Sequence, residues 1–489
     1  MNHARCLIAL LALTLPATAG DPWIPSSPPG FGNPAVISVA GPVSFAGALY
    51  AGADNFAGPG ELWRTTDGAT WNAVGGPGLG DPSNAFILPG VEFQGELWVA
   101  VTTLSASSQL MRSPDGVQWT AAGTPGLGDP NNIQLIPYAV FAGELWVGTN
   151  NLVTGGELWR SPDGVQWTQV GLDGFGHATH DLLVPEVLDP GVLWVMSSNQ
   201  ALGAGLWRSS DGVSFQQVGG AGLGNPQNDI IQTIAAFDGR LFASTGNFAS
   251  GGEIWSSDDG TSWTQVASGG LGDPANVGIT LGPDHGGRLF AGSTNFMSGG
   301  RLWSSADGQQ WTSEAAAGFG DPNTFFVQPT APFGGELYAG AGNFAVGGSV
   351  WVRRPAALGV VACPAQPNSA GSGADLSVAG DASLSSRCLT LLAAGLPPGA
   401  QTRAFFGAPG ATLPFGDGTL CVGARFRRMA MVEVDAAGVG VLIVDFDAPY
   451  TLWLPGLGAS TTYQLWYADP AAGGAGFNLS SAVEVTHTP

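Results

Sequence analysis

Short apolar runs separated by tight polar turns dominate most of the chain. Residues 85–93 and residues 97–101 are apolar runs on either side of one such turn. Residues 109–112 and residues 118–121 follow, with Pro114-Asp115-Gly116 between them. Each run has the length of a β-strand, and four antiparallel strands in about 45 residues are the unit of a propeller blade. The pattern therefore predicts an all-β fold built from four-stranded sheets.

Three columns of mostly aromatic residues recur every 48 residues, with no insertion between copies. The first column is Trp63, Met111, Trp159, Trp207, Trp255, Trp303 and Trp351. The second is Tyr50, Trp98, Trp146, Trp194, Phe242, Phe290 and Tyr338, and the third is Trp23, Trp71, Trp119, Trp167, Phe215, Trp263 and Trp311. A fixed period of this size is a signature of solenoids and propellers. Seven copies predict a seven-bladed β-propeller.

The two ends of the repeat complement each other. Trp23 belongs to the column of the fourth strand, although no first three strands precede it. Trp351 belongs to the column of the third strand, but Val352-Arg353-Arg354-Pro355 follows it in place of a turn and a fourth strand. We expect the N-terminal residues to supply the missing strand, because a closed ring of sheets leaves no free edge. The predicted propeller domain spans residues 20–357.

A seven-residue turn separates the predicted third and fourth strands of each unit. One copy is Ser113-Pro114-Asp115-Gly116-Val117-Gln118-Trp119. It resembles the Asp-box (or BNR repeat) of sialidase-like and sortilin-like propellers, with one residue fewer between Asp and Trp. In that family the turn is structural, so the resemblance implies a fold and no chemistry. The aspartate accepts hydrogen bonds from its own turn and the glycine permits a positive φ. The aspartates of the copies are Asp67, Asp115, Asp163, Asp211, Asp259 and Asp307.

The loops on the opposite face are candidates for ligand binding, and they carry two acidic columns. Asp81, Asp129, Asp273 and Asp321 follow the fourth strands in Gly-x-Gly-Asp-Pro loops. Glu61, Glu157, Glu253 and Arg301 stand where third strands begin. The simpler interpretation of the aspartates is a turn that redirects the chain into the next blade. The functional alternative is a ring of carboxylates that binds Ca²⁺, since Ca²⁺ takes oxygen ligands.

One loop departs from the repeat. Residues 176–181 read Gly176-His177-Ala178-Thr179-His180-Asp181 where other copies have Gly-Asp-Pro-x-Asn. Histidine is the commonest metal ligand and a common general base. His177, His180 and Asp181 are therefore the candidate special site, and sequence drift in a tolerant loop is the alternative explanation.

The period stops after Pro355, and short alternating apolar segments continue to the end of the chain. They predict a C-terminal β-sandwich over residues 358–489. Segments such as Trp466-Tyr467-Ala468-Asp469-Pro470 resemble a tail domain of secreted bacterial proteins, which implies export. Of Cys363, Cys388 and Cys421, an odd count leaves one thiol over, and we favour a disulfide between Cys363 and Cys421.

Composition and charge narrow the classes of partner. The chain has 37 acidic residues and 15 arginines with no lysine, for a net charge of −22. Such a surface repels polyanions, so nucleic acid is excluded as a partner. Arg5, an apolar stretch from Cys6 to Leu15, and Ala17-Thr18-Ala19 predict a signal peptide over residues 1–19, cleaved after Ala19. We expect no membrane span, and a monomer that is secreted or held at the cell surface.

Three hypotheses of function follow. The first is a noncatalytic binding scaffold whose loop face, opposite the Asp-box turns, recognises an extracellular glycan or protein. The second is an exported lyase or hydrolase that uses the same face. A sialidase needs three arginines around the carboxylate of its substrate, and only Arg301 is placed near that face. The third is a structural surface component. No cofactor is implied beyond the Ca²⁺ alternative.

Overall fold

The computed structural model describes residues 23–103, 107–353, 359–371, 373–380, 389–423, 426–434, 438–444 and 459–487. These residues fall into two compact units, with residues 23–353 in the first and residues 359–487 in the second. The predicted signal peptide with its cleavage site, Cys388, and the predicted domain boundary at residue 357 lie outside the described residues.

In the first unit, antiparallel strands follow one another in sets of four. After β1 (Trp23–Pro25), the first two sets are β2 to β5 (Val36–Phe45, Ala48–Asn55, Glu61–Thr65, Asn72–Val74) and β6 to β9 (Asn84–Phe93, Glu96–Thr103, Gln109–Ser113, Thr120–Ala122). The next two are β10 to β13 (Gln134–Phe141, Glu144–Asn150, Leu158–Ser161, Thr168–Gln169) and β14 to β17 (Leu182–Asp189, Val192–Ser198, Leu206–Ser209, Gln216–Val218).

Two further full sets and one set of three complete this unit. They are β18 to β21 (Ile230–Phe237, Arg240–Gly246, Ile254–Ser257, Thr264–Ala267), β22 to β25 (Gly278–Asp284, Leu289–Thr294, Leu302–Ser305, Thr312–Ser313) and β26 to β28 (Thr324–Phe333, Glu336–Asn343, Ser349–Arg353). Short helical turns precede the first strands, at Pro29–Gly32, Pro77–Gly80, Pro125–Gly128, Asp173–Gly176, Ala221–Gly224, Gly269–Gly272 and Ala317–Gly320.

The first strand of each set lies innermost. Each contacts the first strand of the next set, from β2 and β6 around to β26, which contacts β2 again. Clusters of buried apolar side chains fill the space between neighbouring sheets. Sheets stacked face to face around a ring of inner strands define an all-β propeller fold.

One aromatic contact recurs between neighbouring sheets. Trp98 on β7 packs against Gly164, in the turn after β12, where a Cβ atom would lie 2.3 Å from the indole ring. Gly164 has a φ of +71°, which glycine adopts without steric cost. The turn is fixed by its own side chains, since Asp163 accepts hydrogen bonds from the backbone N–H groups of Val165 and Gln166, at 2.8 and 2.7 Å.

The ends of the first unit meet in a β-ladder. Strand β1 pairs with β28, with Trp23 opposite Arg353 and Pro25 opposite Trp351. Trp23 is buried in a cluster with Phe290 and Leu337. The aromatic contact also crosses this seam, because the Tyr338 hydroxyl lies 1.9 Å from where a Cβ of Gly68 would stand. The sheet edge is therefore covered where the sequence analysis expects it.

The second unit contains two larger sheets and a hairpin. Its strands are β29 to β39 (Val360–Cys363, Asp375–Gly380, Leu389–Ala394, Thr402–Gly407, Pro409–Phe415, Gly418–Val422, Arg427–Val432, Gly440–Ile443, Ser460–Ala468, Phe477–Leu479, Ala482–Thr486), with a short helical turn at Pro470–Ala472. One sheet has the order β29-β39-β37-β32-β35, with β38 paired to β37. The other has the order β30-β31-β36, and β33 pairs with β34.

The two larger sheets of this unit share one core, which includes Leu391 from one sheet and Phe406 and Tyr463 from the other. A disulfide joins Cys363 to Cys421, so it links β29 to β34. Among the described residues of the chain, no helix has the length and apolar character needed to cross a membrane.

We expect deletion of residues 21–28 to unfold the first unit. The deletion removes β1, exposes the edge of β28 and empties the site of Trp23. Loss of a buried tryptophan alone typically costs about 3–5 kcal/mol. Circular dichroism melting of the purified chain would measure the effect, and a Leu172→Ala variant, altered at an exposed position, serves as the control. A truncated chain that melts like the full chain would contradict the closure by β1.

Candidate ligand-binding site

The predicted Asp column on the loop face is engaged in local turns. Asp81 accepts hydrogen bonds from the backbone N–H and the hydroxyl of Ser83, and these hold the pKa of Asp81 below its usual value. Asp129 and Asp321 accept a backbone N–H in the same way and also an Asn side chain from a neighbouring loop. Asp273 accepts the backbone N–H of Ala275.

The predicted Glu column is likewise turned inward. Glu157 is buried and accepts hydrogen bonds from Asn132 and Trp159, both at 2.7 Å. Glu253 is buried in the same manner and accepts hydrogen bonds from Asn225, Asn228 and Trp255, and Glu61 accepts the indole N–H of Trp63 at 3.1 Å. Arg301 stands in this column with its Nε buried and without a hydrogen-bond partner in the described part of the chain. Burial raises the pKa of Glu157.

The structure separates the roles of the two histidines. His180 is buried, with Nδ1 2.8 Å from the Ser197 hydroxyl, and its ring packs edge-on against Trp207. It occupies the repeat position that Asn132 and Asn228 hold in other units, where the Asn amide bonds to the Glu column. Burial lowers the pKa of His180.

His177 is exposed, and Asp181 bonds to the Ser198 hydroxyl. No group of three or more His, Cys, Asp or Glu side chains able to hold a metal ion occurs among the described residues. The loop at residues 176–181 and the Asp column therefore present no assembled metal centre in this part of the chain.

A set of buried asparagines holds apolar side chains out on the loop face. The Asn295 side-chain oxygen accepts the backbone N–H groups of Met297 and Ser298, both at 2.9 Å, which fixes the loop after β23. Phe296 is then left exposed. The same arrangement recurs in most units and exposes Phe56, Leu152, Leu202, Phe248, Phe296 and Phe344.

A cavity of about 570 Å³ lies on this loop face, where β3, β7 and β11 end and β6 and β10 begin. Phe86 and Ile133 contribute apolar walls, and Asp54, Gln134 and Asn150 contribute polar groups. The Asn150 side-chain oxygen is buried and has no hydrogen-bond partner within the described residues. Concave sites with apolar walls and a few converging polar groups are where small ligands bind.

Asp54 is held at the cavity wall by two neighbouring strands. Its carboxyl accepts the Ser38 hydroxyl at 2.5 Å and the backbone N–H of Ile87 at 3.2 Å. Burial nevertheless raises the pKa of Asp54 to about 7. The group is therefore partly protonated near neutral pH, and a protonated carboxyl both donates and accepts hydrogen bonds.

Two more polar residues lie nearby on the inner strands. Tyr138 is on β10 and Glu186 is on β14. Burial raises the pKa of Glu186 to about 7, and burial together with the charges of Glu186 and Asp54 raises the pKa of Tyr138. The carboxyls of Asp54 and Glu186 therefore both lie close enough to Tyr138 for their charges to affect its pKa.

Several solved structures resemble the chain at low sequence identity. An ancestral GH74 enzyme matches with a TM-score of 0.44 and 12% identity over 95% of this chain and 64% of the enzyme. A prolyl endopeptidase matches with a TM-score of 0.44 and 10% identity over 77% of this chain and 57% of that protein. This chain thus spans less than two thirds of the length of either protein.

A lectin from Burkholderia pseudomallei matches with a TM-score of 0.46 and 12% identity, over 67% of this chain and 98% of the lectin. No protein-family model and no curated protein sequence matches the chain.

The sequence analysis missed the cavity and the inner polar residues, although one signal was present. The repeat column of Tyr138 and Glu186 holds Pro42, Gly90, Tyr138, Glu186, Ile234, Gly282 and Thr330. Only glycine occurs twice in this column, at positions where a Cβ atom would meet the neighbouring inner strand. The other residues of the column differ in type, in contrast to the aromatic columns, and this variation is the signal that could have drawn attention to Tyr138 and Glu186.

We expect His180→Ala to lower the free energy of unfolding by roughly 2 kcal/mol, because it removes a buried ring and a buried hydrogen bond. His177→Ala should change it by less than about 0.5 kcal/mol, as exposed substitutions do. Urea unfolding measures both, with His180→Asn as the control that restores the residue of other units. Loss of bound metal in both alanine variants, measured by elemental analysis, would instead support a metal site.

The stability of the first unit should fall as pH rises from about 4 to about 7. In the unfolded chain the carboxyls of Asp54 and Glu186 titrate near 4, whereas in the folded chain both have a pKa of about 7. The folded state thus binds more protons in this window, so raising the pH favours unfolding. Each carboxyl contributes a loss on the order of 1–3 kcal/mol.

Urea unfolding at several pH values would measure this slope. Asp54→Asn and Glu186→Gln should each flatten it, while Asp189→Asn, at an exposed position on β14, should leave it unchanged. A free energy of unfolding that stays constant over the window in the unaltered chain would contradict the prediction.

Proposed function

We propose that the chain is an exported, noncatalytic binding protein that takes a neutral carbohydrate in the cavity beside Asp54. In this proposal the first unit is a seven-bladed propeller whose Asp-box-like turns are structural, and the second is a β-sandwich. The observation that carries it is the lining of the cavity, where neutral hydrogen-bonding groups adjoin an apolar wall.

The hydrogen-bonding groups of the cavity favour a ligand rich in hydroxyls. The Asn150 oxygen is an unused acceptor, and the Gln134 amide offers both donors and acceptors. Asp54 is partly protonated near neutral pH, so it supplies no fixed negative charge. Among the described residues no cation lines the cavity, so nothing there offsets the repulsion that a net charge of −22 exerts on an anionic ligand.

The apolar wall suits the flat face of a sugar ring. Phe86 lines the cavity and makes an edge contact with Phe56, with ring centroids 4.8 Å apart. Phe56 is 55% exposed and is held there by Asn55, whose side-chain oxygen accepts the backbone N–H of Ala57. A sugar that packs on these rings would still reach the polar groups of the cavity.

The proposal does not use Ca²⁺. The carboxylates of Asp81, Asp129, Asp273 and Asp321 already accept hydrogen bonds within their own loops. Replacing these bonds with a cation would leave backbone N–H groups unpaired, which is costly. We therefore expect binding to persist in the presence of a chelator.

A second candidate function is an exported hydrolase or lyase that uses the same face. The observation in its favour is the neighbourhood of Tyr138, Glu186 and Asp54, because groups with perturbed pKa values are frequent in active sites. Cleavage of a bound glycan that is lost in Glu186→Gln, while binding is retained, would favour this function over the noncatalytic one.

We expect the full chain to bind neutral oligosaccharides on a glycan array, equally with calcium and with chelator. Binding restricted to anionic glycans would contradict the proposed site. Absence of binding under both conditions would favour the structural surface component.

Asn150→Ala should lower the affinity for the oligosaccharide that binds best on the array by about tenfold or more, since a lost buried hydrogen bond is worth roughly 1–1.5 kcal/mol. Isothermal titration calorimetry would measure the change. Asn72→Ala, altered at an exposed position on β5, is the matched control. Equal affinity in both variants would place the ligand elsewhere on the first unit.

A further inference from the structure

The six-stranded sheet of the second unit has two faces of different character. Along β32 and β37, alternate residues such as Ala404, Phe406 and Tyr463 face the core shared with the other sheet. The residues between them face the opposite way, because successive side chains of a strand alternate between faces. These include Arg403 and Trp466, which stand opposite one another in the ladder.

The outward face carries a mixed apolar and cationic row across three strands. Arg403 pairs with Met431 on β35 and with Trp466 on β37. One step along the sheet, Phe405 pairs with Arg428. The sheet therefore presents two arginines among apolar side chains.

The hairpin β33–β34 forms a wall beside this face and is firmly held. The Gln464 amide donates to the carbonyl oxygen of Thr419 at 2.7 Å, and its side-chain oxygen accepts the backbone N–H of Cys421 at 3.1 Å. The disulfide with Cys363 ties the same strand to β29. The wall is thus fixed before any ligand arrives, which lowers the entropic cost of binding.

Between the hairpin and the sheet lies a cleft of about 390 Å³. Aromatic rings dominate its lining, with Trp466 and Phe477 at a centroid distance of 6.0 Å and Phe405 and Phe426 at 5.1 Å. Phe426 is 37% exposed. Apolar rings left open in a cleft mark a binding site more often than a plain surface.

The two arginines of the cleft have no acidic partner among the described residues. Arg403 donates its Nε to the Met431 sulfur at 3.2 Å, and the ion pairs formed among the described residues include neither Arg403 nor Arg428. In a chain with 37 acidic residues, two cations left unpaired in one cleft are complementary to an anionic group from outside.

We propose that this cleft binds an acidic peptide segment that carries an aromatic side chain. The aromatic side chain fills the cleft against Trp466 and Phe426, and flanking carboxylates pair with Arg403 and Arg428. Arginine suits this role because its planar guanidinium bonds carboxylates in a bidentate manner and stacks on rings. The site is separate from the cavity in the first unit and does not depend on the carbohydrate proposal.

The lining of the cleft argues against a carbohydrate here. Among the described residues of the lining, Gln401 is the only uncharged side chain with hydrogen-bonding groups apart from the Trp466 indole N–H. Arginine and indole N–H groups only donate, so most hydroxyl protons of a sugar would find no acceptor there, and each unpaired polar group opposes binding. A peptide with one aromatic side chain would bury mainly apolar surface.

A direct test uses the full chain and an acetylated, amidated peptide of sequence Gly-Asp-Phe-Asp-Gly, titrated by isothermal titration calorimetry. We expect binding that weakens as salt rises, because charges contribute to it. Peptides with Asn in place of both Asp residues, or Ala in place of Phe, should bind at least tenfold more weakly. Equal binding of all three peptides, or none by the first, would overturn the proposal.

Variants of the chain locate the site. Arg403→Gln combined with Arg428→Gln should weaken binding of the peptide at least tenfold. Phe426→Ala should also weaken this binding, although it leaves the charge of the chain unchanged. Arg160→Gln combined with Arg208→Gln, which removes the same two positive charges from the first unit, is the matched control. If the double variant keeps both the melting temperature and the peptide affinity of the unaltered chain, the assignment is refuted. It is also refuted if a neutral oligosaccharide binds this cleft more strongly than the peptide does.

Discussion

At most junctions between neighbouring sheets of the propeller, an aromatic side chain of one sheet packs on a glycine with positive φ in the next. Tyr50 meets Gly116 and Trp98 meets Gly164, and Tyr338 meets Gly68 across the seam. A side chain at these glycines would overlap the ring, so the turn must keep both its glycine and its conformation. The Ser and Asp side chains of the turn hold that conformation. Ring and turn belong to successive units, so the contact recurs with the period of the repeat and places the same packing demand on each unit that makes it.

This constraint explains how much of the fold the sequence could predict. Positions that pack in the same way in every unit keep the same type of residue, so they form regular columns in the sequence. The β-sheets and the pairing of the two ends at Trp23 could be predicted from these columns alone. The exact limits of strands do not. The fourth strand of the second set begins at Thr120 instead of Gln118, because the backbone N–H of Gln118 is already bonded to Asp115 as part of the turn.

The candidate site was harder to predict for the same reason. His180 attracts notice as a histidine, yet it takes the place of a structural asparagine, and Gly205 replaces the glutamate that such an asparagine bonds in other units. Asp54, Thr102 and Asn150, by contrast, share one repeat column and line one cavity, because the ring brings the ends of β3, β7 and β11 together. The three differ in residue type, so the column did not stand out in the sequence as the aromatic columns do.

The two proposed sites differ in whether arginines line them. In the first unit they lie over aromatic rings, as Arg112 does over Trp98 at 5.8 Å, and several also pair with carboxylates, as Arg112 does with Glu96. A guanidinium that contacts a ring and also pairs with a carboxylate stabilises the packing between strands, and few of its N–H groups remain free to bind a ligand. The described lining of the cavity in that unit accordingly contains no arginine. Arg403 and Arg428 form no ion pair among the described residues and line one cleft together, so an anion that enters this cleft can reach two cations at once.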